Sequence, residues 1–179
     1  MSSGSTQNTE NSIEPANKFT GWRILLTIYW WIWSLFIPKD VKEDYLKTIA
    51  ILDTPLKVQA WLWANIKYRK DTKSWHHWQP GIVTFKEREG DCEDWAVFAN
   101  ECLKKKYEGY FLCMYTKDSG HATYLVHDGD EKWRSVGTFG LMTHKGEPPE
   151  IIPDWTGYKK WTTATLEDEN MNFINVYYR

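Results

Sequence analysis

The sequence predicts an α+β fold, with helices first and an antiparallel sheet after them, and three observations carry that expectation. Apolar residues recur at helical spacing from Val41 to Ile66 and again after Cys92. Beyond Gly109 the period changes to two, and the turn-forming stretches KDSG and DGDE separate the alternating segments. Helical and alternating blocks that do not interleave point to a mixed domain rather than to a parallel βαβ sheet.

Residues 1–18, MSSGSTQNTENSIEPANK, are polar and hold almost nothing to bury, which predicts a disordered tail. Residues 19–38 form a Trp-rich hydrophobic segment expected to be helical. Its uncharged run from Ile24 to Pro38 lies between Arg23 and Lys39. The apolar part, Ile24 to Ile37, would make a helix about 21 Å long, against a hydrocarbon core of about 30 Å. Three readings stay open: a core helix, a helix lying in a membrane interface through Trp22 to Ile37 with its Trp and Tyr rings at headgroup level, or a short spanning anchor. The polar, partly acidic tail before this run and the IPKD after it lack the basic start and small-residue cleavage site of an export signal. The expected location is cytoplasmic, with membrane association left open.

Residues 39–179 carry the expected domain. In VKEDYLKTIAIL, Val41, Tyr45, Ile49 and Leu52 fall near one helical face. Thr54 is then a cap and Pro55 suits the first helical position. Val58, Leu62 and Ile66 repeat every fourth residue, with Trp61 and Trp63 widening the stripe. Residues 69–90 hold Gly, Pro and charges without a helical period and read as a long loop, a kind of segment that is usually functional. A further helix runs from Cys92 to about Lys106, with Trp95, Ala99, Cys102 and Leu103 on its inner side. YFLCMYT (110–116), HATYLVH (121–127), KWRSVG (132–137) and FINVYY (173–178) read as strands.

A chain of 179 residues suits one domain with appendages. The formal net charge of -2, with one basic run at Lys104 to Lys106, argues against nucleic acid, whose binding needs clustered cations. Cysteines at 92, 102 and 113 cannot all pair and have no zinc spacing, so reduced thiols are expected. His76 and His77 are adjacent and lack spaced partners, which makes zinc a poor reading. The 12 tryptophans are large rings suited to packing and interfaces and do not name a ligand.

The chemistry gathers at GDCEDWA, residues 90–96. Asp91 stands where a helix cap belongs, and Glu93 and Asp94 lie near the positive end of the helix dipole. The same geometry puts Cys92 in the first turn, where the dipole favours a thiolate while three carboxylates oppose it. A reactive thiol there needs a positive partner. His121 opens a strand directly after an SG turn, and a Cys and His pair can share a proton so that sulfur attacks carbonyl carbon.

GDCEDWAVFANECL, then a strand, then GHATYLV and a Trp-containing strand resembles the transglutaminase-like cysteine hydrolase superfamily. The upstream block NIKYRKDTKSWHHWQPGIVTFKEREGDCED is similar to its bacterial branch of transglutaminase-like cysteine proteinases, and the likeness spans roughly residues 41–140. It implies a papain-like, transglutaminase-like α+β fold, a bacterial or phage source, Cys92 as nucleophile and His121 as its proton shuttle. The family's third member is an Asp or Asn on the strand after the histidine strand. This sequence offers Ser135, Val136 and Gly137 there, and Ser135 is the hydroxyl able to accept from an imidazole, without the charge that steadies imidazolium. Asp128 and Asp130 belong to a turn, and Asp154 lies farther along the chain.

Trp78 and Gln79 are the residues the resemblance suggests for an oxyanion or pocket-lining role, through an indole or amide hydrogen. No cofactor is required by this chemistry. Calcium is the metal the resemblance brings in, with Asp91, Glu93 and Asp94 as hard oxygen ligands. The expected function is a cysteine hydrolase of peptidase or amidase type working through an acyl-enzyme, with a protein or peptide substrate and water or an amine as acceptor. The alternative is a catalytically degenerate module with a binding or structural role.

Overall fold

The structure, a computed structural model, describes residues 28–30, 32–70, 78–116, 120–129, 132–146, 151 and 162–178. The polar tail, Trp22, His76, His77, Asp130 and Asp154 lie outside the described residues. The chain divides into two compact units, Met1–Leu35 and Phe36–Arg179. In the first, residues 28–30 and 32–35 are helical, with Trp30 edge-on to both Tyr29 and Trp33. Ile28, Ile32 and Leu35, spaced four and three apart, form an exposed apolar stripe with Tyr29 beside it. No helix of the described residues is long and apolar enough to cross a membrane.

The second unit is α+β, as its two periodicities predict. Helices α1 (Lys39–Ile51), α2 (Pro55–Asn65), α3 (Gly81–Glu87) and α4 (Cys92–Leu103) precede the main sheet. Strands β1 (Lys67–Tyr68) and β2 (Glu89–Gly90) form a small parallel pair between them. The sheet follows as β3 (Glu108–Tyr115), β4 (Gly120–His127), β5 (Lys132–Val136), β6 (Met142–Lys145), β7 (Thr163–Glu167) and β8 (Phe173–Tyr178). Its order is β6-β5-β4-β3-β7-β8, antiparallel throughout. Strands β3 to β6 pair consecutively as a meander, and β7 lies on the other side of β3.

Alternation along the strands decides which side meets the helices. Phe111, Tyr124, Val126 and Val136 share a core with Val58, Leu62, Trp95, Phe98 and Ala99 of the helices. Leu112, Met114, Leu125, Trp133, Ala164 and Leu166 form a second cluster on the other face, with Ile151 against it. Within the first, Trp61 stacks on Phe98 at 4.7 Å and on Phe85 at 5.7 Å. Trp63, expected to widen the same stripe, is 61% exposed instead, because positions 61 and 63 diverge by more than half a turn on a helix.

Two further expectations need correction. Residues 69–90 contain α3 and β2 rather than only a loop. A seven-residue helix is too short to show a period, and its start is held from a distance: Gly81 N–H donates to Glu101 Oε1 at 2.8 Å while the Tyr45 hydroxyl donates to Glu101 Oε2. A Cβ at position 81 would lie 2.7 Å from that hydroxyl, so glycine is required by the close approach. The helix opened by Cys92 ends at Leu103, short of Lys106. Strands β6 and β7 were not foreseen, whereas β8 matches the expected last strand.

Gln59 of α2 ties the helices to the sheet. Its Nε2 donates to the Gly137 carbonyl at 3.0 Å and its Oε1 accepts from Gly137 N–H at 3.0 Å, both buried. Gln59→Leu is expected to cost about 2 to 3 kcal/mol, since it leaves a buried donor and acceptor unpaired. Urea unfolding checks it; a loss under about 0.5 kcal/mol would show that the clamp is dispensable.

Candidate active site

The start of α4 is set by three separate devices. First, β1 and β2 pin the incoming chain, with Lys67 N–H donating to Arg88 O at 2.9 Å and Arg69 N–H to Gly90 O at 3.0 Å. Second, Asp91 and Asp94 form a capping box, in which the Asp91 side chain accepts from the Asp94 amide and Asp91 N–H donates to Asp94 Oδ2 at 3.1 Å, and Glu93 N–H also donates to Asp91 Oδ1 at 3.0 Å. Third, Gln79 braces the box, donating its backbone N–H to Asp94 Oδ1 at 3.2 Å and its side-chain Nε2 to Oδ2 at 2.7 Å. Cys92 is thereby fixed as the first residue of the helix.

That first turn rests on β3 and β4. Cys92, Cys113 and Ala122 form one buried cluster with Trp78 packed against it, and Trp78 stands edge-on to Phe111 at 5.2 Å. Ala122 packs against Cys92, and its amide favours the charged form of the sulfur. Ala122 immediately follows His121, and the ladder pairs them with Cys113 and Met114 of β3. Ala122 points toward α4, so strand alternation starts the His121 side chain from the opposite side, where its ring meets Phe139 at 4.4 Å. The structure thus brings Cys92, Trp78 and the start of the histidine strand together.

Electrostatics put both groups in their neutral forms. Burial pushes the Cys92 thiol up to about 12, with the charges of Asp91 and Glu93 adding to it and the Ala122 amide pulling the other way. Burial holds the His121 imidazole down at about 4, against an upward pull from Glu93. Cys92 is 7% exposed and His121 6%, so desolvation of the charged forms outweighs the helix dipole that the sequence offered in favour of a thiolate. Near pH 7 both groups are therefore neutral.

Other expected site residues are placed elsewhere or otherwise engaged. Ser135 pairs across the ladder with Leu125, four residues along β4 from His121, and its Oγ is hydrogen-bonded to His144 Nε2 at 2.9 Å. Four strand residues span about 13 Å, so Ser135 does not stand beside the imidazole. Nor is there room for an acid at Gly137, where a Cβ would lie 2.9 Å from Thr123 Oγ1. Gln79 spends its side-chain amide on Asp94 rather than on an oxyanion pocket.

The calcium set is also altered. Donor atoms of Asp91, Cys92 and Glu93 lie within 4.8 Å of one another, whereas Asp94, turned back into the cap, is not among them. Two carboxylates and a sulfur do not fit calcium, which takes six to eight oxygen ligands. Burial raises Asp94 to about 7 despite the three hydrogen bonds it accepts.

Sequence reasoning passed over Cys113, Thr165 and Glu167. Cys113 pairs with Thr165 across β3 and β7, and Thr165 Oγ1 donates to the fully buried Glu167 at 3.3 Å. The signal was the alternation in TATLE, which marks a strand but not which of its faces turns inward. No family model matches the chain, and no curated protein matches it.

Proposed function

We propose that the domain is a papain-like, transglutaminase-like cysteine hydrolase acting on amide bonds, with Cys92 as nucleophile and His121 as general base. One observation carries the reading: a capped helix sets a cysteine at its first position, with the sulfur against the amide of the residue that follows a histidine at a strand start. In the proposed reaction the thiol proton passes to the imidazole as sulfur bonds to the carbonyl carbon and the carbonyl electron pair moves to oxygen. Collapse of that intermediate expels the amine, which takes the proton from imidazolium. Water, deprotonated by the same imidazole, then attacks the thioester, and acid and thiol are released. Trp78 walls the sulfur and excludes water. Peptide is the proposed substrate class.

The test is the alkylation rate of Cys92 by iodoacetamide, read by mass spectrometry so that Cys102 and Cys113 are scored separately. The reading expects His121→Ala to slow Cys92 alkylation at pH 7 to 8 by at least about tenfold. Equal rates in the two proteins would count against a hydrolase.

A second reading, a non-catalytic module on the same scaffold, is favoured by the neutral states of Cys92 and His121 and by the bond from Ser135 to His144. The exposed stripe of Ile28, Ile32 and Leu35 with the neighbouring aromatics suits a membrane interface, which either reading accommodates. Deleting residues 1–35 is expected to abolish co-sedimentation with phosphatidylcholine vesicles; undiminished binding would place the contact elsewhere.

A further inference from the structure

We propose that Phe139 and Trp63 form an apolar subsite beside His121 that receives a large apolar side chain of the peptide substrate. The inference deepens the hydrolase reading and rests on it. Three contacts fix the turn that carries Phe139. Gln59 holds Gly137 twice, donating to its carbonyl and accepting from its N–H at 3.0 Å each. Gly140 N–H donates back to the Gly137 carbonyl at 2.9 Å and closes the turn. Gly140 has a φ of 94°, and a Cβ there would lie 2.8 Å from Cζ2 of Trp63, so the indole rests directly on this glycine.

From that turn the Phe139 ring reaches the His121 imidazole, with ring centroids 4.4 Å apart and planes tilted by 44°. His121 is buried, yet Phe139 keeps 50% of its surface exposed, and Trp63, against Gly140, is exposed as well. Neither ring belongs to the buried clusters of the domain. One exposed apolar side chain is ordinary, but two aromatic rings on one anchored turn, one of them touching the proposed base, make a patch of the kind that binds. In the proposed reaction His121 returns its proton to the departing amine, so the chain around the scissile amide must lie along the imidazole. A side chain next to that amide then meets the open face of Phe139. The turn is braced through its backbone, so the surface is preformed and little ordering is needed on binding. An aromatic side chain gains there by leaving water, and glycine has nothing to bury.

The test measures how far capped peptides shield Cys92 from iodoacetamide, read by mass spectrometry. Acetyl-Lys-Phe-Phe-Lys-amide is expected to halve the alkylation rate at a concentration at least about tenfold below that needed with acetyl-Lys-Gly-Gly-Lys-amide. The advantage should vanish in Phe139→Ala and persist in Phe139→Tyr, with urea unfolding showing that both variants are folded. Equal shielding by the two peptides in the unmodified protein, or an advantage undiminished in Phe139→Ala, would overturn the proposal. If Cys92 alkylation without peptide proves independent of His121, the hydrolase reading fails, while the comparison of the two peptides still decides the subsite.

Discussion

Asp94→Ala is expected to destabilise the domain by about 3 to 5 kcal/mol, the largest effect of any single substitution around the site. Three donors point at this one carboxylate: Asp91 N–H, Gln79 N–H and Gln79 Nε2. Each buried donor left without an acceptor costs about 1 to 3 kcal/mol, and loss of a helix cap adds to that. Asp91→Ala removes the acceptor of Glu93 N–H and of the Asp94 amide at the cap, and is expected to cost about 1 to 2 kcal/mol. Because the box also fixes Cys92, Asp94→Ala should fray the first turn and expose the sulfur. Urea unfolding gives the stability, and the same protein should show faster Cys92 alkylation that no longer depends on His121. Equal losses for the two substitutions would mean that the box, and not the Gln79 brace, is the whole of the effect.

His121 is expected to give the domain a hidden acid sensitivity. The folded imidazole resists protonation down to about 4, whereas an unfolded one takes its proton near 6.5. Between those values the unfolded state binds more protons, so this group's contribution is fully present above about 6.5 and is lost as pH falls toward 4. The interval is worth about 3 kcal/mol. Asp94 works the other way, because its folded carboxyl protonates near 7 and its unfolded one near 3.8, so its contribution is lost as pH rises between them. The two largely cancel in the native chain. His121→Gln should therefore gain about 3 kcal/mol relative to the unmodified protein between pH 6.5 and 4, and Asp94→Asn should become the more acid-sensitive. Denaturant unfolding along a pH series measures both differences; a difference for His121→Gln that does not vary with pH would show that the imidazole is not held neutral by the fold.

How much of this was legible beforehand follows from the range of each interaction. Thr54 as cap, Pro55 after it, and Val58, Leu62 and Ile66 on one face are local signals, and each appears as expected, with Lys57 N–H donating to Thr54 Oγ1 at 3.3 Å. The Asp91 cap was equally readable, as were the strands around Leu112, Leu125 and Trp133. Helix α3 was not, because it depends on Glu101, twenty residues ahead of Gly81. Gln79 was read as a site residue for the same reason: its partner Asp94 is fifteen residues away, and only folding brings them together.

What the sequence determined by itself is the kind of element at each position, and the placing of Cys92 at a capped helix start and of His121 at a strand start. Periodicity and capping act within one turn or one strand, so they survive without knowledge of the rest of the chain. Only the tertiary structure decided the charge states and the partners. Burial overrode the helix dipole at Cys92, the ladder register carried Ser135 away from His121, and the cap consumed Asp94 while leaving Glu93 turned to the sulfur. Desolvation and strand register depend on what stands opposite each residue across the fold, and that opposition is written in no single stretch of sequence.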